Sequence, residues 1–174
     1  IYLQRGQVDL AVREYEAGLK ILPGDPKILN NLGNARMQQK KYPQAVKCYQ
    51  QALQRDPEFV DAHRNLAQAY LRQGLLEKAL SQIQAAIRID PGDAENYLCS
   101  GRLYMAKKDY ERALEHLQRA LFIDAGLTAA RVELGSVYLE TGRSEWAIEE
   151  FTRAPPLRDD SLAAASVGLA QAYH

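Results

Sequence analysis

Apolar residues recur along this chain at helical spacing, in short runs divided by turns. The pattern is clearest over residues 60–93, where His63, Leu66, Ala67 and Tyr70 fall at i, i+3, i+4 and i+7, one stripe of an amphipathic helix. Gly74 follows as a natural stop. Leu76, Ala79, Leu80, Ile83, Ala86 and Ile87 then form a second stripe, closed by Asp90-Pro91-Gly92-Asp93. Proline lacks the N–H a helix needs, and glycine accepts turn geometry. Two short helices cannot bury such stripes alone, so the pattern predicts an antiparallel pair packed against further pairs. The same spacing predicts helices over 8–22, 27–39, 42–56, 95–107, 110–123, 129–141 and 145–154. Pro43 lies in a first turn, where proline is tolerated, and Asp109 and Ser144 are expected N-caps. Residues 2–5 read as the end of an earlier helix stopped by Gly6.

The block repeats every 34 residues. Gly33, Ala67, Gly101 and Gly135 share one register position; Ala45, Ala79, Ala113 and Ala147 share another; Ala52, Ala86, Ala120 and Ala154 a third. Tyr49, Ile83, Leu117 and Phe151 align, as do Tyr70, Tyr104 and Tyr138, and Pro23, Pro57 and Pro91 close the earlier copies. A small residue where two helices cross lets the backbones approach, and a large side chain fills the adjacent hole. The copies divide the chain into a partial repeat 1–25, full repeats 26–59, 60–93, 94–127 and 128–161, and a partial repeat 162–174. Near the end, Pro155-Pro156 stops a helix early, and Ala170 and Tyr173 keep register only if one residue is inserted, which reads as a loop variant.

This skeleton resembles that of the tetratricopeptide repeat (TPR) family, with its period of about 34 residues. Lys40 and Lys108 depart from it where a turn glycine is usual, Ala125 where a closing proline is usual, and Gly18 where an alanine is usual. The resemblance implies an all-α, right-handed superhelical solenoid of antiparallel helix pairs, here one array over residues 1–174. The chain starts in mid-repeat without methionine and is expected to be a fragment of a longer protein.

Composition narrows the function. The chain has 22 basic and 22 acidic residues, which argues against a nucleic-acid or anionic-membrane surface as its main role. No run approaches the roughly 18 apolar residues of a membrane span. Cys48 and Cys99 fit no metal spacing, and their registers keep them apart as free thiols. His116 lacks a nearby His or Cys, His174 is terminal, and His63 is expected to be packed on the buried stripe. No nucleophile–base pair, phosphate loop or dinucleotide fingerprint is present, so neither catalysis, cofactor nor metal is expected of this chain.

The resemblance also implies that the first helix of each repeat lines a concave inner face. The stripe opposite the buried one carries Lys27, Asn30, Asn34, Met37 and Gln38; then Asp61, Arg64, Gln68, Leu71 and Arg72. Later repeats supply Glu95, Leu98, Arg102, Met105 and Ala106, and Ala129, Val132, Ser136, Leu139 and Glu140. The expected partner-binding set is Lys27, Asn30, Asn34, Gln38, Arg64, Gln68, Arg72, Leu98, Arg102, Met105, Val132 and Leu139. Amides can bond both donor and acceptor of a peptide backbone, and arginines can fork onto carboxylates. The partner is thus a peptide segment, polar or acidic over the arginines and apolar over Leu98, Met105 and Leu139. The expected role is a protein–protein interaction scaffold or adaptor; the alternative is the recruiting arm of a larger enzyme whose catalytic domain lies elsewhere. Asn31 and Asn65 share a register position whose later members are Cys99 and Glu133, so an asparagine ladder stops after two rungs. Trp146 falls on an outward side as a weaker candidate. Residues 26–59 carry six basic and two acidic residues, a net +4, and residues 128–161 four basic and seven acidic, a net −3, which would allow weak, salt-sensitive self-association.

Overall fold

A computed structural model describes residues 7–153. Among them are nine helices and no strand. The expected helix end at residues 2–5, the Pro155-Pro156 stop and the register shift after it lie outside the described residues. The chain divides into two compact units at Pro91 and Gly92.

The first unit holds α1 (Val8–Ile21), α2 (Pro26–Gln38), α3 (Tyr42–Arg55), α4 (Val60–Arg72) and α5 (Leu76–Ile89), each packed on the next. Its core joins Val12, Leu32, Ala35 and Cys48, flanked by Val8, Tyr15 and Leu19. A second cluster joins Leu29, Ala52 and Ala62, flanked by Leu19, Leu53 and Phe59. The second unit holds α6 (Ala94–Ala106), α7 (Tyr110–Ile123), α8 (Thr128–Glu140) and α9 (Ser144–Arg153), again packed in sequence. Its buried side chains include Leu103, Leu117, Val137 and Phe151. Within each unit the first helices of adjoining repeats also touch, α2 against α4 and α6 against α8.

The helix crossings are set by size. A Cβ added at Gly33 would stand 2.4 Å from the Tyr49 ring, at Gly101 2.6 Å from Leu117, and at Gly135 2.7 Å from Phe151. The sequence repeat therefore pairs a missing side chain on one helix with a large one on its partner. Where the small residue is Ala67, the aligned large one is Ile83, and both are fully buried.

The turn inside every pair is built one way. The N–H groups of Lys41, Leu75, Asp109 and Arg143 donate at 2.8–2.9 Å to the carbonyls of Arg36, Tyr70, Tyr104 and Tyr138. One residue earlier, Lys40, Gly74, Lys108 and Gly142 donate to Met37, Leu71, Met105 and Leu139. This double closure needs a left-handed residue just past the helix end. Gly74 and Gly142 supply it with φ of 74° and 72°, and Lys40 and Lys108 are forced into it at 58° and 61°. The departure from glycine noted in the sequence changes strain, not geometry.

The caps agree with the sequence at Asp109, whose carboxylate accepts the Arg112 N–H at 3.2 Å. Asp25 accepts from Ile28 at 2.8 Å, ahead of Pro26 in the first turn of α2. Ser144, expected as a cap, is instead the first helical residue of α9. Both cysteines are buried, and neither is in a disulfide.

Two outcomes check this packing. Lys40→Gly and Lys108→Gly should each raise stability by about 1 kcal/mol in chemical denaturation, since glycine relieves the left-handed strain. Gly33→Ala should lower it by roughly 1–3 kcal/mol, because Tyr49 must move to admit the methyl.

Candidate partner-binding faces

The exposed faces of the first helices are narrower than a helical wheel suggests. In the first unit Lys27, Gln38, Gln68 and Arg72 are exposed on α2 and α4. Arg64 is half-buried and paired with Asp61. Asn34 is half-buried and accepts the Tyr49 hydroxyl at 2.7 Å. Its amide was expected to meet a peptide backbone; it holds the second helix of its own repeat instead. Burial pushes the Tyr49 phenol well above its usual range, so that hydroxyl remains a donor.

Asn30, Leu98 and Val132 correct the sequence reading. All three were expected on the open face, yet they are only 6%, 2% and 7% exposed. They share one register position, and for Asn30 the reason is the contact between first helices. Asn30 Oδ1 accepts from Asn65 Nδ2 at 2.9 Å, which places that register in the seam between α2 and α4. This bond also occupies Asn65, one of the two rungs of the asparagine ladder. In the second unit Arg102 is exposed and ion-paired with Glu133 at 2.7 Å across α6 and α8. Met105 and Leu139 are half-buried. The apolar strip expected there thus shrinks to these two side chains beside an arginine.

Three models of one family match the sequence, described as tetratricopeptide repeat over residues 30–94 and 104–172 and as TPR repeat over residues 1–40. The chain belongs to the tetratricopeptide repeat family. No curated protein matches it. Among solved structures, a thermophilic TPR protein of Thermus thermophilus is similar at a TM-score of 0.86 and 24% identity, over 97% of this chain and 93% of that one. The Cut9–Hcn1 hetero-tetramer of the APC/C is similar at 0.89 and 21%, over 99% of this chain and 34% of that one. YrrB, described as a TPR protein with an unusual peptide-binding site, is similar at 0.66 and 21%, over 90% of this chain and 82% of that one. These likenesses establish the TPR fold, an all-α stack of antiparallel helix pairs.

One pair of TPR register positions differs chemically in every repeat. It carries Leu29 and Cys48, then His63 and Gln82, then Tyr97 and His116, then Arg131 and Glu150. His63 was expected to be a packed residue on the buried stripe rather than a ligand, and it is half-buried. It is a strut, with Nδ1 2.9 Å from the Gln82 amide and Nε2 2.9 Å from the Pro57 carbonyl. Arg131 repeats this bridge two repeats later. It donates to Glu150 at 3.0 Å and to the Ala125 carbonyl at 2.9 Å, at the register of Pro57. The signal was present in the sequence as an Arg and a Glu 19 residues apart, like His63 and Gln82. Tyr70 and Tyr138 add links between adjoining repeats, receiving Gln50 at 3.0 Å and Gln118 at 3.4 Å.

His116 lies 5.9 Å from the Tyr97 ring and 5.1 Å from Tyr104, and its Nδ1 is buried without a hydrogen-bond partner. Burial lowers its pKa from the ordinary 6.5; Glu115 opposes the shift and Arg112 reinforces it. Among the described residues no group of three or more His, Cys, Asp or Glu is placed to hold a metal ion. No helix among them is long and apolar enough to cross a membrane.

The His116 environment fixes a pH dependence. The folded state favours the neutral ring, so its contribution to stability is complete above 6.5 and lost as pH falls through the lower folded value. Denaturation midpoints taken from pH 7.5 down to 5 should fall less in His116→Phe than in the parent. The Arg131 and Glu150 side chains are only 18% and 14% exposed. Glu150→Ala should therefore cost about 2–4 kcal/mol, and Arg131→Leu with Glu150→Cys should recover part of that loss.

Proposed function

We propose that this chain is a non-catalytic protein-interaction module that holds peptide segments against the exposed faces of its first helices. The observation that carries the reading is the set Lys27, Gln38, Gln68 and Arg72, exposed together on α2 and α4. Arg72 has no carboxylate partner among the described residues, so its guanidinium is available to an acidic side chain. Lys27 supplies a second cation, and the two glutamines can bond either polarity of an extended backbone. In the second unit, Arg102 beside half-buried Met105 and Leu139 supports a contact with a mixed apolar and acidic segment.

Membership of the tetratricopeptide repeat family supports this reading, because family modules typically mediate protein interaction. The similar fold of YrrB, whose description names a peptide-binding site, is consistent with it. The bonds that employ Asn30, Asn34 and Asn65 narrow the face to the side chains just named.

Lys27→Glu combined with Arg72→Glu should reduce partner retention in affinity capture with the intact protein at least tenfold, while the helical circular-dichroism signal stays unchanged. Both side chains are exposed and support no core contact. Undiminished retention would remove the first-helix face of this unit as the binding surface.

A further inference from the structure

A second candidate surface lies on α6 and α7. Phe122 is 79% exposed, although the same register carries Lys20, Gln54 and Arg88 in other repeats. A large ring at a position otherwise given to solvated side chains is an exposed apolar feature that packing leaves unexplained. It borders a groove of about 520 Å³ lined by Tyr97, Glu115, His116, Gln118, Arg119 and Phe122.

Arg119 organises this groove. Its guanidinium carbon lies 5.0 Å from the centre of the Phe122 ring and 6.0 Å from that of Tyr97. A guanidinium flanked by two rings is held by cation–π attraction and loses little freedom on binding. Its edge N–H groups remain free to fork onto an anion, and no carboxylate among the described residues is ion-paired with it. The groove thus presents an oriented cation beside an uncovered aromatic face.

We propose that this groove docks a protein segment in which an aspartate or glutamate adjoins an aromatic or large aliphatic side chain. The carboxylate forks onto Arg119, and the apolar side chain covers Phe122. A single cation suits one carboxylate. Glu115 on the rim disfavours a polyanion such as a nucleic-acid strand, which would need several cations along its path. Five of its six lining residues lie on α7 and Tyr97 alone comes from α6, so the groove shares no residue with the first-helix face and can fail or hold independently of it.

The test uses the 174-residue chain and a fluorescein-labelled, carboxy-amidated pentapeptide with one acid beside one ring, Gly-Ser-Asp-Phe-Gly, followed by fluorescence anisotropy. Saturable binding is expected. It should weaken about tenfold in Arg119→Gln, in Phe122→Lys, and when the peptide aspartate is replaced by asparagine, each change removing one charged or apolar anchor. Phe122→Lys installs the residue found at Lys20, and both altered side chains are exposed, so folding is spared. In the Lys27→Glu with Arg72→Glu background, where the free cations of the first-helix face in the first unit are gone, saturable binding with the same dependence on Arg119 and Phe122 should persist. The proposal is overturned by the absence of saturable binding, or by equal affinity for the asparagine peptide. Insensitivity to both α7 changes, or loss only in the Lys27/Arg72 variant, would also overturn it. Displacement by oligouridylate at the peptide's own concentration would assign the groove to nucleic acid and overturn it as well.

Discussion

The structure depends on helices that come closer than ordinary side chains allow. At Gly33, Gly101 and Gly135 the space of a Cβ is already taken by Tyr49, Leu117 and Phe151 of the partner helix. That one complementarity fixes crossing distance and rotation within a repeat. Once it is fixed, the fully buried alanines at 45, 79, 113 and 147 have their place. The turn must then reverse the chain within a few residues, which is why Lys40 and Lys108 accept a conformation better suited to glycine. The packing contact determines the turn, and the turn tolerates an imperfect sequence.

Most of this was legible in the chain. Apolar spacing placed every described helix within about a residue or two at each end, which is the usual latitude of helix boundaries. The 34-residue recurrence identified which positions face one another. The faces were less legible, for a definite reason. A helical wheel separates one buried stripe from one free stripe, whereas a first helix here touches its own partner and also the first helix of the adjoining repeat in its unit. Asn30 occupies that additional seam, Leu98 and Val132 are buried at the same register, and their polarity gave no hint of it. Asn34 and His63 show the complementary difficulty: a side chain able to meet a ligand is equally able to meet a neighbouring hydroxyl, amide or carbonyl. Only the coordinates tell these uses apart.

The surviving exposed groups form two kinds of surface. On α2 and α4 the exposed side chains of Lys27, Gln38, Gln68 and Arg72 are long, flexible and hydrophilic. On α6 and α7 an arginine is clamped between rings next to an uncovered phenylalanine, suited to a single charged and apolar anchor. The first kind costs side-chain entropy at each contact, while the second is largely organised before a partner arrives.

The chemically different pairs at one shared register bear on how such a chain avoids error. Similar repeats in tandem invite a helix to dock on the wrong copy during synthesis, a hazard common to repeat proteins. Here a swap that set Arg131 against Cys48 would enclose a guanidinium with a thiol, and one that set Leu29 against Glu150 would strand a carboxylate. Mispaired hairpins therefore carry a penalty that correctly paired ones escape. The His63–Gln82 and Arg131–Glu150 bridges act as addresses: each of these hairpins fits its own partner helix, although the surrounding skeletons are nearly interchangeable.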